Sequence, residues 1–172
     1  MINKNQLTER SFTPSQLSGF DGAHSIQLPV DFIHDLSKAD SLQAVLDTIA
    51  YWISHVFDAD RASITLQDTE EYLKLYSISG NHAIPMDFKI PIGQTFVGRV
   101  FAQSQLIICD DLAQSDELDC KMLSEHGMGT CMDAPMIHNG VCISTLNVAD
   151  QRKHHYTLQQ AILLQSLATW LA

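Results

Sequence analysis

Residues 88–112, FKIPIGQTFVGRVFAQSQLIICDDL, and residues 127–148, GMGTCMDAPMIHNGVCISTLNV, decide how this chain folds. The first stretch reads as a strand, a glycine-bracketed turn into a short helix, and a second strand ending at Asp110 and Asp111. The second reads as a β-hairpin turned on Asn139-Gly140, because both residues tolerate the positive φ that a tight two-residue turn demands. Between them a polar segment carries Leu118, Met122 and Leu123 at helical spacing, with Ser115 placed to cap it.

Working outward, Arg61–Gln67 and Tyr72–Ser79 flank the polar run Asp68-Thr69-Glu70-Glu71 and predict a further hairpin. Phe88, Ile90 and Ile92 predict a third strand and Leu106–Cys109 a fourth, with the Asn-Gly hairpin supplying two more. Upstream, Leu42, Val45, Leu46, Ile49, Ile53 and Val56 recur at helical spacing after Asp40, a candidate cap. Downstream, Thr157 and Gln160 form a capping box ahead of Leu158, Ala161, Leu164, Ala168 and Leu171. Residues 1–27 are polar with little periodicity and are expected to be loose or to form a short docking helix. The near-continuous apolar run Leu106–Cys109 requires a sheet covered on both faces.

The chain has 172 residues, 45% of them hydrophobic, which suits one sizeable core. Twenty acidic against ten basic residues give a formal charge of -10. That surface repels phosphate backbones and anionic lipid heads, so neither nucleic acid nor membrane is an expected partner. No apolar run reaches the roughly 18 to 20 residues of a bilayer span, and MINKNQLTER lacks the apolar core of a signal peptide; a cytoplasmic location is expected. Cys109, Cys120, Cys131 and Cys142 fall eleven residues apart in unlike settings, so the spacing reads as coincidence and the thiols as core fillers, with Cys120, on the polar helix, expected to be the open one that reacts first. None of the eight histidines forms a His-x-x-x-His pair on a helix face. His154 and His155 are adjacent, and His126 sits at a helix end; no metal is expected.

The order helix, two strands, strand, small helix, strand, helix, two strands, helix resembles the GAF domain. The echoes are Ile90-Pro91-Ile92-Gly93 with Gly98, Ile107-Ile108-Cys109-Asp110-Asp111, Ala134-Pro135-Met136, Gly140, Leu146-Asn147-Val148 and Tyr156-Thr157. The resemblance covers residues 28–172. It implies an α+β fold with a mostly antiparallel six-stranded sheet, the first and last helices on one face and small pocket-forming helices on the other. It further implies a bacterial sensor that binds a small molecule and pairs as a homodimer, with a possible fused or downstream output domain beyond the apolar terminal helix. No cofactor is named by it, and the ligand stays open.

By that resemblance the pocket wall comprises Phe96, Asp110, Asp111, Met122, Thr130 and Met132, with Thr145 and Asn147 opposite. In the last helix Leu164, Ala168 and Leu171 are expected to face the sheet, leaving Leu163, Leu167 and Trp170 as a dimer-forming stripe. Catalysis is not expected. The free methionine sulfoxide reductase branch looks similar around Ile90–Gly98 but has a cysteine where Val97 stands and another near Ser124. Cys120 and Cys109 keep a divergent thiol reductase as an alternative, beside a purely structural dimerisation module with a filled pocket. Bilin-binding members carry Cys-His where this chain has Cys120-Lys121, and the Asn-Lys-Phe-Asp-Glu motif of cyclic-nucleotide binders is missing.

Overall fold

The computed structural model describes residues 8–18 and 27–172. Seven antiparallel strands form one sheet in the order β1-β5-β6-β7-β2-β3-β4. They are β1 (Glu9–Phe12), β2 (Arg61–Gln67), β3 (Tyr72–Gly80), β4 (Ile90–Pro91), β5 (Leu106–Cys109), β6 (Thr130–His138) and β7 (Val141–Asp150). The helices are α1 (Pro14–Ser18), α2 (Val30–Lys38), α3 (Leu42–Val56), α4 (Phe96–Gln103), α5 (Leu118–Glu125) and α6 (Leu158–Leu171). No helix among the described residues is long and apolar enough to cross a membrane.

Strand alternation divides the core in two. Even-numbered residues Ala62, Ile64, Met132, Ala134, Leu146 and Val148 pack with α3 and α6 in one buried cluster. Cys109, Cys131 and Ala149 point the other way and join the cluster under α4 and α5. The hairpin β6–β7 turns on Asn139 and Gly140 at φ 50° and 79°, as the sequence predicts. The terminal helix begins with the expected capping box of Thr157 and Gln160.

Several expectations are corrected. The sheet has seven strands rather than six, because Glu9–Phe12 pairs with β5 along its full length, Glu9 opposite Cys109 and Phe12 opposite Leu106. Arg10 fastens this strand by a two-pronged contact with Asp110 and a bond to the Tyr156 carbonyl. The rest of the 1–27 stretch, residues 1–7 and 19–26, lies outside the described residues. Ser41, not Asp40, caps α3 by accepting from the Ala44 amide. Ser115, three residues before α5, accepts from the amide of Glu117, which holds the cap position. The third predicted strand shrinks to Ile90–Pro91 because Ile92–Gln94 tightens into a 3-10 turn. That turn lies against Gly98, where a Cβ would come within 2.1 Å of the Ile92 carbonyl oxygen, so only glycine fits.

Candidate functional site

On the α4/α5 face the central strands lay down three cross-strand rows. The middle row is Asp133–Asn147–Ser63, flanked by Ile107 and Ile78. Above it run Cys109–Cys131–Ala149–Arg61, and below it Pro135–Thr145–Thr65. A cavity of about 30 Å³ opens over these rows, room for about one or two water molecules. Leu75, Ile84, Ile90, Val97 and Leu123 close it with apolar side chains, while Asp119 enters from α5.

The polar groups here are deeply buried. Arg61 donates to the Asn81 carbonyl at 2.6 Å and to the Ile84 carbonyl at 3.4 Å, holding the loop 81–89 over the cavity. Burial lowers its pKa to about 10, with Asp133 pulling the other way, and at neutral pH it is a cation. Asp119 accepts from the amides of Phe96 and Val97 at 2.9 and 3.0 Å, and from Cys120 at 3.0 Å. It thereby ties the start of α5 to the start of α4, where Thr95 caps the helix through Gly98. Burial raises its pKa against the pull of those amides.

Asp133 is 5% exposed. Burial pushes its carboxyl well above the usual range, Asp119 adds to the push and Arg61 opposes it, and no hydrogen bond is among the influences on it. Asn147, 8% exposed, donates through Nδ2 to Ser63 Oγ at 3.3 Å, and its Oδ1 is buried with no donor. Outside the cavity, Arg99 bridges Glu9 at 2.6 Å and Glu117 at 2.7 Å, locking β1, α4 and α5 into one roof.

Three thiols meet beside this site. Cys109, Cys120 and Cys131 are free, buried and packed in one cluster, with Cys120 next to both of the others. The Cys120 contact and burial raise the Cys109 pKa; burial raises that of Cys131. These are poor nucleophiles at neutral pH. The expectation that Cys120 lies on an open polar helix is wrong: its side chain is buried, and Cys142 is the partly exposed thiol. Among the described residues no group of three or more histidine, cysteine or acidic side chains is placed to hold a metal.

Of the eight residues expected to form the pocket, Asn147 lines the cavity. Thr145 lies in the row below and is hydrogen-bonded to Thr65, which does line it. Phe96 is buried in the adjoining cluster, where its ring also meets the Arg99 guanidinium, and Met122 packs against that cluster. Asp110 is paired with Arg10; Asp111 caps the 3-10 turn at Leu112–Gln114 and meets Lys153. Thr130 donates to the Cys109 carbonyl, and Met132 belongs to the opposite core with α3 and α6. Register explains the last miss. Asn147 pairs with Asp133, whereas Met132 pairs with Val148, and one residue along a strand reverses the face.

Arg61, Asp119 and Asp133 escaped sequence reading, although a signal was present. If Ala62 and Ile64 face the helices, Arg61, Ser63 and Thr65 must lie on the other covered face, and Asp133 between Met132 and Ala134 must do the same. The proposed dimer stripe is also redrawn. Leu167 is 2% exposed and packs into the monomer core, Leu163 is partly buried against it, and Trp170 is 58% exposed.

Comparison with known proteins agrees with this architecture. A family model for the GAF domain matches residues 41–172. The GAF domain of a phosphoenolpyruvate-protein phosphotransferase from Coxiella burnetii is similar in structure, with TM-score 0.70, 19% identity, and 82% of this chain and 86% of that one covered. Free methionine-R-sulfoxide reductase from Neisseria meningitidis, solved with its substrate, gives TM-score 0.70 at 18% identity, covering 86% and 93%. The GAF domain of an Acinetobacter phosphoenolpyruvate-protein phosphotransferase gives 0.68 at 14%, covering 82% and 85%. At such identities the likeness shows the fold alone. No curated protein sequence matches the chain.

Proposed function

Because this chain belongs to the GAF domain family, we propose that it is a non-catalytic regulatory sensor, with its ligand site at the cavity over Asp133, Asn147 and Ser63. The observation that supports this reading is a covered sheet face on which the strands themselves place the buried polar side chains Arg61, Ser63, Asp133 and Asn147 around a cavity, with Asn147 Oδ1 unpaired. On the face under α3 and α6 the same strands place apolar residues, and the unpaired Tyr156 and Gln165 oxygens buried on that side come from the terminal segment and not from the sheet. An apolar enclosure with a few fixed polar groups is what small-molecule recognition requires. At about 30 Å³ the cavity is closed down, so a ligand larger than a water or two enters by displacing the loop 81–89 that Arg61 holds. Signal then leaves through the helical face, where a homodimer formed around Trp170 and the exposed Tyr51 of α3 suits a cytoplasmic regulator joined to an output domain.

A thiol reductase is the second reading, favoured by the meeting of Cys109, Cys120 and Cys131 and by the reductase among the similar structures. Burial and the raised pKa values oppose it. Screening amines, amino acids, nucleotides and organic acids by thermal shift, with the amide spectrum of the protein as a second readout, tests the sensor reading. A ligand at 100 times its Kd stabilises by about 2.7 kcal/mol and should perturb residues 131–133 and 145–149. Turnover of methionine sulfoxide by the wild-type protein, abolished in Cys131→Ser, would replace the sensor with the reductase.

A further inference from the structure

We propose that the cavity selects a primary ammonium group carrying a short apolar tail, with the Asp133 carboxylate and Asn147 Oδ1 accepting its N–H bonds. This rests on the sensor reading above and adds the chemical class of the ligand. Three independent features lead to it.

First, Asp133 and Asn147 are cross-strand partners on one face, and both side chains line the cavity. Second, Asn147 Oδ1 is an acceptor in want of a donor. The Asn147 amide is oriented by its Nδ2 bond to Ser63, which leaves Oδ1 buried and unpaired, and the neighbouring Asp133 carboxyl is committed to no hydrogen bond. Third, among the described residues Arg61 is the one cation in the wall, and its own N–H groups reach the carbonyls of Asn81 and Ile84 instead of either acid. Three amides satisfy Asp119, whereas burial holds the Asp133 carboxyl toward its protonated form. An arriving ammonium supplies the charge and the donors that let Asp133 release that proton to solvent, and it is close to a water molecule in size, which the cavity admits. An anion would meet an Arg61 whose N–H groups are already bonded. A bare metal ion lacks a set of three ligating side chains here. Leu75, Ile90 and Val97 offer the tail an apolar wall.

The experiment titrates the intact chain with methylammonium and propylammonium chloride, using potassium chloride at matched ionic strength, sodium acetate and acetamide as comparators. The readout is the Asn147 side-chain amide resonance and the backbone amides of Cys131 and Asp133. Both amines should give saturable shifts, propylammonium at the lower concentration. Asp133→Asn should weaken them at least 10-fold, while Asp68→Asn at the exposed β2–β3 turn leaves them unchanged. Asn147→Leu provides an independent variant with the same expected loss. Saturable shifts with acetate or acetamide in place of the amines would overturn the ammonium assignment and leave the sensor reading standing. Equal shifts with potassium would make it a simple cation site and overturn the proposal. No saturable response of these resonances to either amine would also overturn it, with the sensor reading then judged by the broader screen.

Discussion

On the side of the sheet covered by α3 and α6, strands β2, β6 and β7 present Ala62, Ile64, Met132, Ala134, Leu146 and Val148. On the side under α4 and α5, the same strands present Arg61, Ser63, Asp133 and Asn147. Both sets are buried, so exposure does not separate them. The first set gains from burial in proportion to the apolar area removed from water. The second loses solvation that no protein group fully replaces. Neighbouring residues on one strand thus do opposite things, and mutations on the two faces should differ in sign.

The largest effect belongs to the helical face. Leu164 on α6 is fully buried in the cluster with Ile64, Met132 and Leu146. Leu164→Ala should destabilise by about 2 to 5 kcal/mol, read as a lower denaturation midpoint with an unchanged slope. A loss under about 1 kcal/mol would mean that the two faces are not packed as differently as their residues imply.

The cavity face should answer with the opposite sign. In Asp133→Asn the new amide can donate to Asn147 Oδ1, its cross-strand partner, and removes a carboxyl that burial disfavours as an anion. The variant should be more stable than wild type by about 1 to 3 kcal/mol at pH 8. The pH dependence follows from the raised carboxyl. Folded Asp133 holds its proton above the ordinary carboxylate range of about 4, so its favourable contribution is complete below that pH and is lost as pH rises through the folded value. The gap between variant and wild type should therefore widen from pH 4 upward. Asp119, Arg61, Glu117, Cys131 and Tyr156 share that field, and all five are retained in the variant, so the difference between the two curves isolates Asp133. A gap that stays constant with pH would mean that Asp133 is ionised and satisfied.

How far this contrast was legible in the sequence depended on the feature. The Asn139-Gly140 turn and the Thr157–Gln160 box state their geometry in local residues, and the structure has both. The edge strand Glu9–Phe12 could not be read locally, because its pairing with β5 is made by residues a hundred positions away. The candidate site was half legible. Asn147, placed in the pocket wall by resemblance, lines the cavity, but Met132, placed there on the same ground, belongs to the opposite core, and only the β6–β7 register reveals that Asp133 is the partner of Asn147. The eleven-residue cysteine spacing looked accidental for the same reason. Cys109 and Cys131 are cross-strand partners, and α5 lowers Cys120 between them, a convergence that belongs to topology and not to any one segment.

The thiols give a third way to sharpen the comparison. Cys142 sits beside the turn of the β6–β7 hairpin and is partly exposed, whereas the other three lie within the cavity-side cluster. A thiol reagent added to native protein should modify Cys142 alone, and Cys109, Cys120 and Cys131 together only on unfolding. Their joint release would mark the cavity face as one cooperative unit. Early modification of Cys120 would mean that α5 opens on its own.

The smallest effect on stability is expected at the outer surface of α6, and it separates folding from assembly. Leu167 and Trp170 are three residues apart, yet Leu167 packs against the sheet and Trp170 looks outward. Leu167→Glu would bury a charge and unfold the monomer, so loss of a dimer in that variant says nothing about the interface. Trp170→Glu changes a solvent-facing position and should alter monomer stability by no more than about 0.5 kcal/mol. If the exposed ring joins the α3 and α6 surfaces of two copies, sedimentation at a fixed concentration should shift this variant toward monomer while its unfolding at low concentration stays that of the parent. An unchanged sedimentation profile would remove Trp170 from the interface.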